Sequence, residues 1–349
     1  MIKRFFKAIG LIAVFGVSLC SLYLANLFLM KPLSMDHYLG KNLITGLVDS
    51  PESMTYMGIF DGMNWLTKHN SKLSIPNYKD LQDDIADARK SLKTLNKYKD
   101  SSLSDNQKVT KSIAIFDTEN NLKQLEEFPY HDYPLNQVRG VHHNIISFMS
   151  DMHPIRSLSE AEDFIKRTNL VLEVYSGQLG WLERQAAEGI YAPKFVYAHL
   201  IKQLNELINY SLEEHPLYSQ FNKKAELLDI KDDELASLKA GLKSSIENSV
   251  TPGFVLLRDF MVSTRDNANP HHGIWSQPNG DEFYKLRIRS YTTTDYSPQK
   301  IHDLGLSEVA RISSRMKNIL VSLGYETSKD TGTLMNELNE DPSMLYADT

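Results

Sequence analysis

"SLSEAEDFIKRTNLVLEVYSGQLGWLERQAAEGIYAPKFVYAHLIKQLNELI", from Ser157 to Ile208, is the stretch whose reading decides the fold class. It opens on two overlapping Ser-x-x-Glu boxes, Ser157 with Glu160 and Ser159 with Glu162, where hydroxyl and carboxylate satisfy the amides that a helix start leaves bare. Val171, Tyr175, Leu179, Leu182 and Ala186 then fall on one helical stripe, and Gly189 is a good terminator. Pro193 sits where a first-turn proline belongs, ahead of a second stripe of Val196, Leu200, Leu204, Leu207 and Ile208. The four-residue connector between them predicts an antiparallel helix pair.

The same spacing extends outward. The acids Asp232, Asp233 and Glu234 suit a helix N-terminus, and Leu235, Leu238, Leu242, Ile246, Val250, Leu257 and Met261 follow at steps of three, four or seven. Pro252 should kink or split that run. A further helix starts with Ser297 as cap and Pro298 as first residue, runs through Ile301, Leu304, Ile312, Met316, Ile319 and Leu323, and ends at Gly324. "KLRIRSY", from Lys285 to Tyr291, alternates well enough for a strand. Phe283, Leu286 and Ser290 fit a helix as well, and the helical neighbourhood favours helix. With no internal repeat and no low-complexity tract, the fold class is mainly α.

The 42% hydrophobic and 23% charged content is that of an ordinary globular chain. Net charge is -6, yet the first 31 residues hold Lys3, Arg4, Lys7 and Lys31 and no acid, which leaves -10 on the remainder. That charge repels nucleic acid, so no nucleic-acid partner is expected. "AIGLIAVFGVSLCSLYLANLFLM", from Ala8 to Met30, is uncharged and long enough as a helix to cross a bilayer core of about 30 Å. The basic residues before it orient the bulk of the chain outward, into the periplasm of a Gram-negative cell. Ser21 and Ala25 have Leu19 and Tyr23 two positions earlier, poor context for signal cleavage. An uncleaved single-pass inner-membrane anchor is therefore favoured over a cleaved signal and a secreted periplasmic form. The expected organisation is a tip and transmembrane anchor or signal over residues 1–31 and a helical domain over residues 32–349. Cys20 is the only cysteine and lies inside the apolar segment.

Chemistry-bearing motifs are few. Ser314-Arg-Met-Lys317 and Ser104-Asp105-Asn106 match two penicillin-binding-type elements, but in the wrong order and without a Lys-Thr-Gly strand. A zinc site on one helix wants two histidines four apart; His142-His143 and His271-His272 are adjacent, and helical neighbours point about 100° apart. His142-His143 reads as packed or surface histidine, and the acid pairs Asp83-Asp84, Glu213-Glu214 and Asp232-Asp233 as solvated or capping. No phosphate loop, nucleophile elbow or dinucleotide fingerprint occurs.

"GIWSQPNGDEFYKLRIRSYTTTDYSPQKIHDLGLSEVARISSRM", from Gly273 to Met316, resembles the bacterial family catalogued as domain of unknown function 885. "SPESMTYMGIFD" from Ser50, "YPLNQVRGVHHNIISFM" from Tyr133, "EGIYAPKFVYAHLIKQL" from Glu188 and "ENSVTPGFVLL" from Glu247 agree in order. The resemblance implies a helical, zincin-like, exported protein related to metallopeptidases and carboxypeptidases. It also implies a zinc element, His-Glu-x-x-Pro-Gly-His-His followed by Glu-Gly-Trp-Ala, in a C-terminal half. That element does not occur here, so the chain is expected to correspond to the N-terminal half, with no catalytic or metal residue and no cofactor of its own, zinc coming only with the missing half. His271, His272, Tyr284, Arg287 and Tyr291 are candidates to line a substrate cleft, arginine being suited to a peptide carboxylate. The expected partners are the membrane, a complementary C-terminal half and a peptide, and the helices around Leu257, Met261, Ile312 and Leu323 should expose apolar surface for that half. Half of a split zinc carboxypeptidase-like enzyme and a stand-alone peptide-binding module are the alternatives.

Overall fold

The computed structural model describes residues 2–326, 328–344 and 346, with side chains from residue 14 onward. Among them run sixteen α-helices and no strand: α1 (Ile2–Leu29), α2 (Met35–Val48), α3 (Pro51–Met57), α4 (Asn64–Thr67), α5 (Tyr78–Leu95), α6 (Asp105–Glu127), α7 (Val141–Ser147) and α8 (Leu158–Thr168). The rest are α9 (Val171–Ala187), α10 (Lys194–Ile208), α11 (Pro216–Ala225), α12 (Asp232–Ser245), α13 (Thr251–Thr264), α14 (Gly280–Thr292), α15 (Pro298–Ser322) and α16 (Thr331–Glu340). The chain divides into two compact units, residues 1–283 and 284–349, the boundary falling inside α14. "KLRIRSY" is helical, in keeping with its neighbourhood.

Local chemistry places the ends. Ser157 caps α8 by accepting from the Glu160 amide, and Ser297 caps α15 by accepting from the Lys300 amide. Gly189 adopts φ +74 just past α9, a left-handed geometry that a side chain resists. The stretch from Ser157 to Glu188 is not one helix, however, for it breaks at Asn169 and Leu170 into α8 and α9. The break is held by Ser249, whose hydroxyl donates to the Asn169 carbonyl at 2.9 Å and accepts from the Leu172 amide at the same distance. Pro252 acts as its chemistry requires. It has no N–H for the carbonyl four residues back, and the α12–α13 run carries a π-turn at Ile246–Val250 just before it.

Unit 1 is built around α13. It packs against both α9 and α10, so the two helices joined by the short connector chiefly meet α13 instead of each other. Gly253 permits the close approach, because a Cβ there would lie 2.5 Å from the Tyr175 ring. Phe164 against Phe221 and Tyr175 against Phe254 form the aromatic centre, with Leu200, Leu204, Leu217, Leu242 and Leu257 fully buried around it. Each such side chain contributes about 1.5–3 kcal/mol. A smaller core of Met35, Tyr38, Leu95 and Tyr98 joins α2 to α5 and the turn after it. In unit 2, α15 packs on α16, with Leu320 and Leu334 inside.

One expectation changes and a second is left without support. Leu257 and Met261 lie in the core of unit 1 and offer no surface, whereas Ile312 and Leu323 are 45% and 58% exposed. The second concerns the apolar N-terminal segment. Among the described residues no helix is long and apolar enough to cross a membrane. The segment over residues 8–30 lies almost wholly in α1, and the side chains of its residues 8–13 are outside those described. Val14, Phe15, Val17, Leu22 and Leu29 within it are exposed.

Candidate functional site

The residues singled out from sequence are divided between the two units. His271 and His272 follow Pro270 in a loop of unit 1, both exposed, and their rings part company: His271 lies 5.1 Å from the Trp275 ring and His272 meets Phe195 edge-on at 4.9 Å. Tyr284, Arg287 and Tyr291 lie on α14 in unit 2, where Arg287 donates to the Tyr291 hydroxyl at 2.8 Å and sits over its ring. Among the described residues no group of three or more His, Cys, Asp or Glu side chains converges as a metal site would require. The donor set present therefore does not fit zinc. His142 is fully buried and His143 half-buried, their rings 4.2 Å apart, in agreement with packed histidine.

The densest polar cluster involves residues that no sequence motif marks. Arg167, in the last turn of α8, is fully buried and donates through Nε to the Lys72 carbonyl at 2.7 Å and through Nη1 to His153 Nδ1 at 3.0 Å. Its Nη2 donates to Thr55 Oγ1 at 2.9 Å and to the His69 carbonyl. Every acceptor is neutral. Burial brings the guanidinium down to about 10, with Glu52 and Asp163 working the other way, so it stays a cation at neutral pH. Since Nδ1 of His153 accepts, its proton is on Nε2, which faces the Glu160 carbonyl at 3.2 Å. Burial first and Arg167 second push His153 down to about 3.

A half-closed couple lies beside it. Asp61 Oδ2 accepts from Arg156 Nη2 at 2.7 Å, while Asp61 Oδ1 and His69 Nε2 are buried, lack hydrogen-bond partners and stand 3.9 Å apart, too far for a bond. Thr67 Oγ1 holds the other His69 nitrogen at 2.7 Å, and burial lowers the His69 pKa. Four of the five N–H groups of Arg167 are spent on protein acceptors, so this cluster fastens the segment from Thr55 to Lys72 onto α8. The chain carries one local signal of it: Arg167 is three residues beyond Phe164 on the buried stripe of Ala161, Phe164 and Thr168. Most of its partners come from positions 95 to 112 residues away, which no local pattern reveals.

Comparison with curated proteins gives no match. Among solved structures, the chain is similar to the putative lipoprotein from Colwellia psychrerythraea, with a TM-score of 0.71 and 24% identity over 85% of this chain. The chain spans about half, 52%, of that protein's structure, and at this identity the likeness shows the fold. Residues 51–349 match the family described as bacterial protein of unknown function (DUF885), and the chain belongs to that family.

Proposed function

We propose that this chain is the helical, metal-free part of a metallopeptidase-like protein, tethered to the inner membrane by its N-terminal segment and facing the periplasm. The zinc chemistry then belongs to a complementary C-terminal half, and the chain alone is inactive. The observation that carries the reading is the surface of α15. Ile312, Ile319 and Leu323 are 45%, 51% and 58% exposed along one stripe, continued by half-buried Ile301 and Met316, a face that a self-sufficient surface helix keeps polar. Two further facts support it: the similar Colwellia structure has about as much chain again, and that protein is described as a lipoprotein, in keeping with a membrane surface. The exposed apolar side chains of α1 suit a lipid environment.

Mixing the purified chain with the family polypeptide that carries His-Glu-x-x-Pro-Gly-His-His tests the reading. Co-elution as a 1:1 complex is the expected result. Two separate peaks at concentrations of about 10 μM, where a specific helical interface holds together, would count against it and favour the stand-alone module.

A further inference from the structure

Pro76, Pro129, Tyr130, Pro134, Gln178 and Trp181 enclose a slot of about 230 Å³ in unit 1. That is room for one ring, below the roughly 300–1,000 Å³ of pockets that hold whole drug-sized ligands. One wall is α9, where Gln178, Trp181 and Gln185 recur at helical spacing and share a face. The other is the segment after α6. Gln185 Nε2 donates to the Tyr130 and Asp132 carbonyls at 2.6 and 2.8 Å, and His131 Nε2 is 2.7 Å from the Pro278 carbonyl, so this wall is fixed in advance. Gly177 sets the floor, since a Cβ there would lie 2.3 Å from the Pro76 carbonyl.

Inside the slot one group is unspent. The Gln178 side chain is only 7% exposed, yet its amide makes no hydrogen bond with any described residue. A primary amide that reaches into the slot has as its complement another amide, which offers one acceptor and one donor in return. The rings of Tyr130 and Trp181, 5.7 Å apart and tilted by 58°, present flat apolar surface beside it. Arg184, close enough to act on the Tyr130 hydroxyl, and the acidic residue Asp132 in the lining are of opposite sign, so charge favours neither a cation nor an anion.

We propose that this slot binds a neutral planar ring with an amide beside it, the ring against Tyr130 and Trp181 and the amide paired with Gln178. An aromatic residue within a peptide and a free aromatic carboxamide share that chemistry. The inference stands on the slot alone and does not depend on the metallopeptidase reading.

The test uses the full chain carrying Trp65→Phe and Trp275→Phe, two exposed positions, so that Trp181 is the sole fluorophore of its kind. N-acetyl-L-phenylalanine amide, its D-enantiomer and benzamide are titrated while Trp181 emission is followed. Saturable binding with preference for the L-enantiomer supports the proposal with a peptide residue as ligand. Saturable binding of benzamide without chiral preference supports it with a free carboxamide. Gln178→Leu should weaken either by about tenfold, the worth of one to two hydrogen bonds, while leaving the melting temperature unchanged or higher. No saturable change with any probe overturns the proposal, as does equal affinity in the Gln178→Leu chain. Gly177→Ala gives an independent check, because displacing Pro76 should weaken binding even where Gln178 is intact.

Discussion

Replacing Arg167 by methionine removes the post that fastens the Thr55–Lys72 segment to α8 while keeping much of the apolar stem. Two acceptors lose their donor, the Lys72 carbonyl and His153 Nδ1, while the His69 carbonyl still accepts from the Lys72 amide at 3.1 Å. Thr55 is spared, for its hydroxyl also contacts the Pro51 carbonyl and Asn70 Oδ1. At about 1–3 kcal/mol per stranded buried group the gross loss is roughly 2–6 kcal/mol. Releasing the buried guanidinium from its desolvation offsets part of this, which leaves a net destabilisation of about 1–4 kcal/mol. Urea unfolding followed by circular dichroism measures it, and hydrogen exchange should show protection lost first at residues 69–72, where Arg167 takes two carbonyls. Removing the cation should also raise the pKa of His153, since Arg167 is its second cause of depression after burial. A loss below about 1 kcal/mol would refute the reasoning, because surface substitutions alone reach about 0.5 kcal/mol.

Acid should unfold unit 1 early. His142 and His215 are held down to about 4 and His153 to about 3, all chiefly by burial, against an unfolded value of 6.5. A depressed folded pKa gives stability that is fully present above 6.5 and is lost as pH falls toward the folded values. Each histidine should therefore cost about 2 kcal/mol by pH 5, and a urea midpoint unchanged between pH 7 and pH 5 would contradict this. The N-terminal segment should keep the chain in the membrane fraction through a carbonate wash, whereas a soluble periplasmic form starting near Asn26 or later would mean a cleaved signal. Ile312→Asp with Ile319→Asp should alter the stability of the chain alone by no more than about 0.5 kcal/mol, both being exposed, and should abolish binding to the complementary half; retained binding would place the interface elsewhere.

What the amino-acid order reveals and what it hides divide along physical lines. Ser157, Gly189, Pro252 and Ser297 act through neighbours within a few residues, so the caps, the left-handed terminator and the disturbance around Pro252 are legible from local chemistry alone. The α8–α9 break is not, because Ser249 holds it from about 80 residues away. A short connection suggests that α9 and α10 pair, but a connector fixes succession and not contact, and α13 brings Gly253 close against α9. Periodicity marks Leu257 and Ile312 alike as apolar, and only packing tells that one is core and the other surface. Among candidate site residues, His271 and His272 stand out by type, yet their rings are engaged separately by Trp275 and Phe195. Arg167 gives only its place on the buried stripe of α8, and Gln178 does not stand out, since the partners that surround a polar residue on a helix come from distant parts of the chain.

The central claim is that zinc chemistry in this family's protein is supplied by polypeptide other than this chain, and metal stoichiometry tests it most directly. Zinc is titrated into the purified chain alone and into its mixture with the His-Glu-x-x-Pro-Gly-His-His polypeptide, with protein-bound metal counted after gel filtration. The account predicts no tight zinc on the chain alone and one equivalent on the complex. One tight equivalent on the chain alone, lost in the His271→Ala, His272→Ala double variant, would contradict it.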